Sequence, residues 1–129
     1  MIVYRADVFG LTQVAAGMSS WTSSREYAEA YTTAAFAGFG GPCLYRGKAE
    51  GRVLDLRSDP AAALAGFGLD LADYSGEPLH DTLRILAPLF AATGFRWLAF
   101  CEHPNPLHDE WLYVGPGPVA CHPVDQRTR

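Results

Sequence analysis

The chain of 129 residues is 49% hydrophobic and 19% charged, enough apolar material for one compact domain with its own core and too much for a disordered segment. A net charge of -4 and an isoelectric point near 5.4 exclude broad electrostatic binding to nucleic acid or to an anionic membrane, while a specific nucleic-acid substrate stays open. Three cysteines, Cys43, Cys101 and Cys121, cannot all pair within the chain and show no CxxC spacing, so free thiols in a reducing cytoplasm are expected.

The opening MIVYRA has none of the regions of an export signal, and no apolar run reaches membrane-spanning length, so a cytoplasmic protein with no membrane partner is expected. Residues 2 to 6 (IVYRA) read as a first strand, with Val3 and Arg5 on one face and Ile2 and Tyr4 on the other. A polar, glycine-containing stretch leads to SSWT at 19 to 22. Ser24 then stands where a hydroxyl can accept from the unbonded amides of a first helical turn. Tyr27, Ala28, Tyr31, Ala34 and Ala35 follow at helical spacing, which predicts a helix to about Phe36.

GFGGP at 38 to 42 breaks that helix, and CLYRGKA (43 to 49) and RVLDL (52 to 56) read as two strands around Glu50 and Gly51. Ser58 and Asp59 before Pro60 form a cap followed by a proline whose missing N–H costs nothing at the first helical position, so AAALAGF is a short helix. GLDLADYSGEP carries no single signal. From Leu79 an amphipathic helix with Leu83, Leu86, Leu89 and Phe90 runs to Gly94, and Pro88 predicts a kink or a split within it. FRWLAF (95 to 100) has strand character, HPNP (103 to 106) reads as a turn, EWLYV (110 to 114) as a strand and PVACHPV (118 to 124) as a last edge strand. Short helices among six or so strands predict a single α+β domain over residues 1 to 129, and the recurrence of AGFG at 37 to 40 and 65 to 68 has no repeat unit around it.

Three pieces carry a possible chemistry: YR at 4 to 5, SSWTSS followed by YAEAY, and DEWLYV at 109 to 114. In this order they resemble the ADP-ribosyltransferase family of the Arg–Ser–Glu type, and within it small bacterial or phage toxin-like domains. The resemblance implies a split β-sandwich with short helices, NAD as the substrate that supplies ADP-ribose, a protein or nucleic-acid acceptor and, for a toxin, a neutralising antitoxin protein. It places Arg5 on the NAD phosphates or ribose, Ser20 and Thr22 in the Ser-x-Thr strand, and Glu110 as the catalytic carboxylate, with Arg5, Ser20 and Glu110 as the catalytic set.

The chemistry agrees with those residue types. Breaking the nicotinamide–ribose bond passes through an oxocarbenium-like state, which a carboxylate beside the ribose stabilises. A diphosphate suits the planar, permanently charged fork of an arginine. Ser20 is expected to brace Glu110 by a hydrogen bond. Strand alternation sends Ser20 and Thr22 to one face and Trp21 to the other, into the core, although Trp21 belongs to the cofactor-binding segment that the resemblance implies. For an aromatic against the nicotinamide the following helix offers Tyr31, the preferred residue, with Tyr27 and Phe36 as alternatives.

Competing readings attach to the same residues. A lone arginine on a strand is usually a surface or ion-pair residue, a serine before a helix is usually a cap, and Glu110 beside Asp109 would equally suit a solvated acidic turn, with Asp109 and Glu102 as its substitutes. GFGGP neither follows a strand nor opens a helix, as a phosphate loop does. Cys101, His103, His108 and the Cys121–His122 pair match no familiar zinc spacing, so no metal is expected, and Cys101 with either histidine lacks an activating context for thiol chemistry. His108 stands two residues before Glu110, where arginine-modifying members of the family carry Glu and several others Gln. That histidine could serve as a base on an incoming nucleophile or line the rim. Water as acceptor would make the protein an NAD glycohydrolase, and an idle fold would make it a binding or inhibitor module. Arg46 and Lys48 are candidates for a target-recognition face.

Overall fold

The computed structural model describes residues 1–17, 20–34, 43–74, 76–102 and 108–124, with backbone alone over 31–34. Its elements run β1 (Ile2–Asp7), β2 (Gln13–Val14), α1 (Arg25–Ala34), β3 (Cys43–Lys48), β4 (Arg52–Asp55), α2 (Pro60–Ala65), a 3-10 turn (Leu71–Tyr74), α3 (Leu79–Ala92), β5 (Phe95–Phe100), β6 (Glu110–Tyr113), β7 (Val119–Ala120) and β8 (His122–Pro123). Helices and strands mix in one small α+β domain with open sheets, as the sequence implies.

One three-stranded sheet has the order β1-β3-β8, all antiparallel, and a second has the order β4-β5-β6, parallel between β4 and β5 and antiparallel between β5 and β6. A two-stranded ribbon pairs β2 with β7. Residues 21–22 join the two larger sheets. Trp21 and Trp111 exchange backbone hydrogen bonds of 2.7 and 2.6 Å, while Tyr4 and Thr22 exchange a pair of 2.7 and 2.9 Å, so this short link lies between β1 and β6.

Period-two alternation on β5 divides the interior. Trp97 and Ala99 join Val3, Trp21, Tyr45 and Trp111 in a core between the sheets, whereas Leu98 and Phe100 join Leu64 of α2, Leu83, Leu86 and Phe90 of α3 and Leu112 in a core under the helices. Both faces of β5 are therefore dry, which explains its run of large apolar residues. Trp97 meets Trp21 and Trp111 edge-on, at centroid distances of 6.4 and 6.3 Å.

The helix ends follow the caps. Ser24 Oγ accepts from Tyr27 N at 3.1 Å to open α1, and Asp59 Oδ1 accepts from Ala62 N at 3.0 Å to open α2. Pro78 precedes α3 and offers no side-chain cap. Glu102 supplies one from beyond β5, accepting from Leu79 N (3.0 Å) on Oε2 and from His80 N (2.8 Å) on Oε1.

Several expectations need correcting. The strands flanking Glu50 and Gly51 enter different sheets, and Gly51, at φ +96°, turns the chain from one to the other. The final strand is two, because buried Cys121 donates its N–H to Thr12 O (3.0 Å) and separates β7 from β8, which pair with β2 and β3. Pro88 does not split α3: Leu83, Leu86 and Phe90 before and after it are buried in the same core, which outweighs one missing hydrogen bond. Phe36, GFGGP and HPNP lie outside the described residues. Among the described residues no helix is long and apolar enough to cross a membrane.

Candidate active site

Where β1, the link, α1, α3 and β6 converge, a cavity of about 280 Å3 is lined by Tyr4, Arg5, Ser20, Thr22, Tyr27, His80, Arg84 and Glu110, among others. Arg5, Ser20 and Glu110, widely separated in the chain, thus share one cavity.

Arg5 is held from two sides. Its Nε donates to Asp7 Oδ2 at 2.7 Å, and Nη1 reaches the Ser20 carbonyl at 3.4 Å. The side chain is 13% exposed, and these two contacts orient the guanidinium before any ligand arrives. Ser20 therefore acts on Arg5 through its backbone.

The bracing expected between Ser20 and Glu110 falls instead on their neighbours. Asp109, 2% exposed, accepts from Thr22 Oγ1 (3.2 Å), Ser23 N (2.9 Å), Ser23 Oγ (2.7 Å), Trp111 Nε1 (3.0 Å) and Arg57 Nη1 (3.1 Å). Burial alone would push its carboxyl up, but the hydrogen bonds from Ser23, Trp111 and Thr22 outweigh burial and hold it below the ordinary aspartate range. Asp109 is a structural anion that pins the link to the start of β6. Alternation then turns Glu110 to the same side of β6 as Leu112, toward α3.

On that side stand His80 and Arg84, which sequence reasoning did not single out, and Glu102, which it named only as a substitute for Glu110. His80, in the first turn of α3, has Nδ1 2.6 Å from Glu102 Oε1 and Nε2 3.1 Å from Asp81 Oδ1. Burial would raise the Glu102 carboxyl, yet the hydrogen bonds from His80 and Leu79 prevail and lower it. Arg84 lies one turn further along the helix on the same cavity. His80, Glu102 and Glu110 each bring one atom within 4.8 Å of the others, and Glu102 in this cluster already accepts three hydrogen bonds.

The remaining candidates are placed as follows. Trp21 is 2% exposed, its indole packs in the core and its backbone N–H and C=O both bond to Trp111, so it contributes no polar group to a ligand. The side chain of Tyr31 and all of Phe36 and His103 lie outside the described residues. Tyr27 lines the cavity and stacks on His108, with ring centroids 4.6 Å apart and planes at 9°. Burial, and then the charge of Asp109, push the Cys101 thiol up, and burial raises Cys121, so neither is poised as a thiolate. Arg46 and Lys48 line a larger cleft of about 620 Å3 together with Trp97, Tyr113 and His122. Among the described residues that cleft includes Glu50 but no serine or threonine hydroxyl, so the smaller cavity is the better candidate for chemistry.

Comparison with protein-family profiles, with curated proteins and with solved structures found no match to the chain.

Proposed function

We propose that this chain is an NAD-dependent ADP-ribosyltransferase that cleaves the nicotinamide–ribose bond and transfers ADP-ribose to a protein or nucleic-acid acceptor. One observation carries the reading: Arg5, Ser20 and Glu110, the residue types that this chemistry requires, line the same cavity. At about 280 Å3 the space falls just below the usual range of ligand pockets, roughly 300 to 1,000 Å3, and so suits the nicotinamide and its ribose with the adenosine end outside.

In this reading Glu110 faces the positive charge that develops at the ribose and holds the 2′-hydroxyl, while Arg5, oriented by Asp7 and the Ser20 carbonyl, takes the diphosphate. The clamp on Asp109 fixes the link between them. Such an activity inside a cell requires a protected acceptor or a neutralising partner protein, and the reading extends to a cytoplasmic toxin with its antitoxin.

The test is nicotinamide release from NAD by the purified chain, alone and with candidate acceptors. Glu110→Gln, nearly isosteric and uncharged, should lower the rate by on the order of 100-fold or more while NAD still binds. Undiminished release by that variant, or no release by the wild type under any acceptor condition, refutes the proposal.

A further inference from the structure

The reaction must dispose of a proton. As the nucleophile forms its bond to the ribose C1′, the C1′–N bond breaks and nicotinamide leaves neutral with the electron pair, so the proton of the attacking O–H or N–H needs an acceptor. Glu110 is committed to the charge on the ribose. Arg5 and Arg84 have no lone pair to offer. The described cavity wall has one further side chain with a nitrogen lone pair to offer, the imidazole of His80.

We propose that His80 is the general base for the incoming nucleophile, oriented by Glu102. The inference rests on the ADP-ribosyltransferase reading above and adds the residue that activates the acceptor. Glu102 Oε1 accepts both from the His80 main-chain N–H (2.8 Å) and, at 2.6 Å, from ring Nδ1–H, which fixes the tautomer whose Nε2 carries the lone pair. Glu102 is itself held by the first amides of α3. Asp81 Oδ1 lies 3.1 Å from Nε2, close enough for its charge to favour the imidazolium once Nε2 takes the proton. One ring nitrogen lies within 4.8 Å of a Glu110 oxygen, which puts the base next to the carboxylate that holds the ribose. The charged groups around the ring are thus Glu102 from beyond β5, Asp81 and Arg84 from α3, and Glu110 from β6.

The ring is 35% exposed, so a small base from solvent can replace it. We would measure nicotinamide release with water as acceptor, across pH, for wild type, His80→Ala, His80→Gln and His108→Gln, with NAD binding followed by equilibrium dialysis. Both His80 variants should bind NAD as the wild type does and turn it over roughly 100- to 10,000-fold more slowly. A rise in rate with pH is expected of the wild type and should vanish in them, and added imidazole should restore turnover to His80→Ala. Undiminished turnover in the His80 variants, loss with an unchanged pH profile and no response to imidazole, or transfer of the pH effect to His108→Gln would each overturn this assignment. An active wild type silenced by Glu110→Gln but not by His80→Ala removes the base alone, whereas a wild type that never releases nicotinamide removes the function and the base together.

Discussion

Ser23 Oγ donates to Asp109 Oδ2 over 2.7 Å, tying together residues 86 apart in sequence. The same carboxylate takes the Ser23 amide, the Thr22 hydroxyl, the Trp111 indole N–H and an Arg57 guanidinium N–H, so a single buried charge locks the link, β6 and the segment after β4. Asp109→Asn keeps the shape but removes the charge and turns an N–H2 toward groups that donate. We expect a loss of roughly 3 kcal/mol, read from urea denaturation, together with slower nicotinamide release because the cavity wall loosens. A variant as stable as the wild type would show that the clamp does not hold the fold.

Acid should act through the same group. Asp109, Asp55 beside Arg57, and Glu102 all have carboxyls held below their ordinary range in the folded protein. A depressed carboxyl contributes stability that is fully present above its unfolded value, about 4, and is lost as pH falls through the lower folded value. Stability to urea should therefore stay flat from neutrality down to about pH 5 and decline below about pH 4, and the decline should be shallower in Asp109→Asn.

Gly47 on β3 lies beneath the Trp21 indole. A Cβ there would stand 3.0 Å from two ring carbons and 3.3 Å from the Ala120 carbonyl oxygen, with backbone on one side and a core tryptophan on the other. Gly47→Ala should cost about 1 to 3 kcal/mol and shift tryptophan fluorescence as the indole is displaced. An unchanged melting temperature would mean that the sheets separate without strain.

Glu102 caps α3 from a distance of 23 residues in the chain. Glu102→Ala should cost about 1 to 2 kcal/mol and speed hydrogen exchange at the amides of Leu79 and His80 while leaving the last turn of α3 protected. Uniform exchange along the helix would argue that the carboxylate is not its cap.

Local signals made much of this fold legible. Ser24 and Asp59 announce their helices because a cap acts within three residues, and β5 declares itself through a run of large apolar side chains. What escaped depends on distance. Gln13–Val14 is a strand only because Val119–Ala120 lies beside it, and a carboxylate beyond β5 finds the start of α3 through tertiary packing alone. Arg5, Ser20 and Glu110 could be named from the resemblance carried by their three short motifs, whereas His80 and Arg84 reach the cavity only through the way α3 docks. Bracing between Ser20 and Glu110 was off by small steps on both segments. Hydroxyls crowd residues 20 to 24 and two acids stand side by side, and a step of one residue reverses the face.

The two-residue link between the sheets leaves no slack. Trp21 and Thr22 each spend both backbone groups on hydrogen bonds, one toward β6 and the other toward β1. One inserted residue would bring the indole out to solvent and swing hydroxyls into the interior, and a proline would delete a rung outright. Anyone redesigning this protein to accept a different ligand should therefore vary the helical walls at Tyr27 or Arg84 and leave the length of that strap untouched.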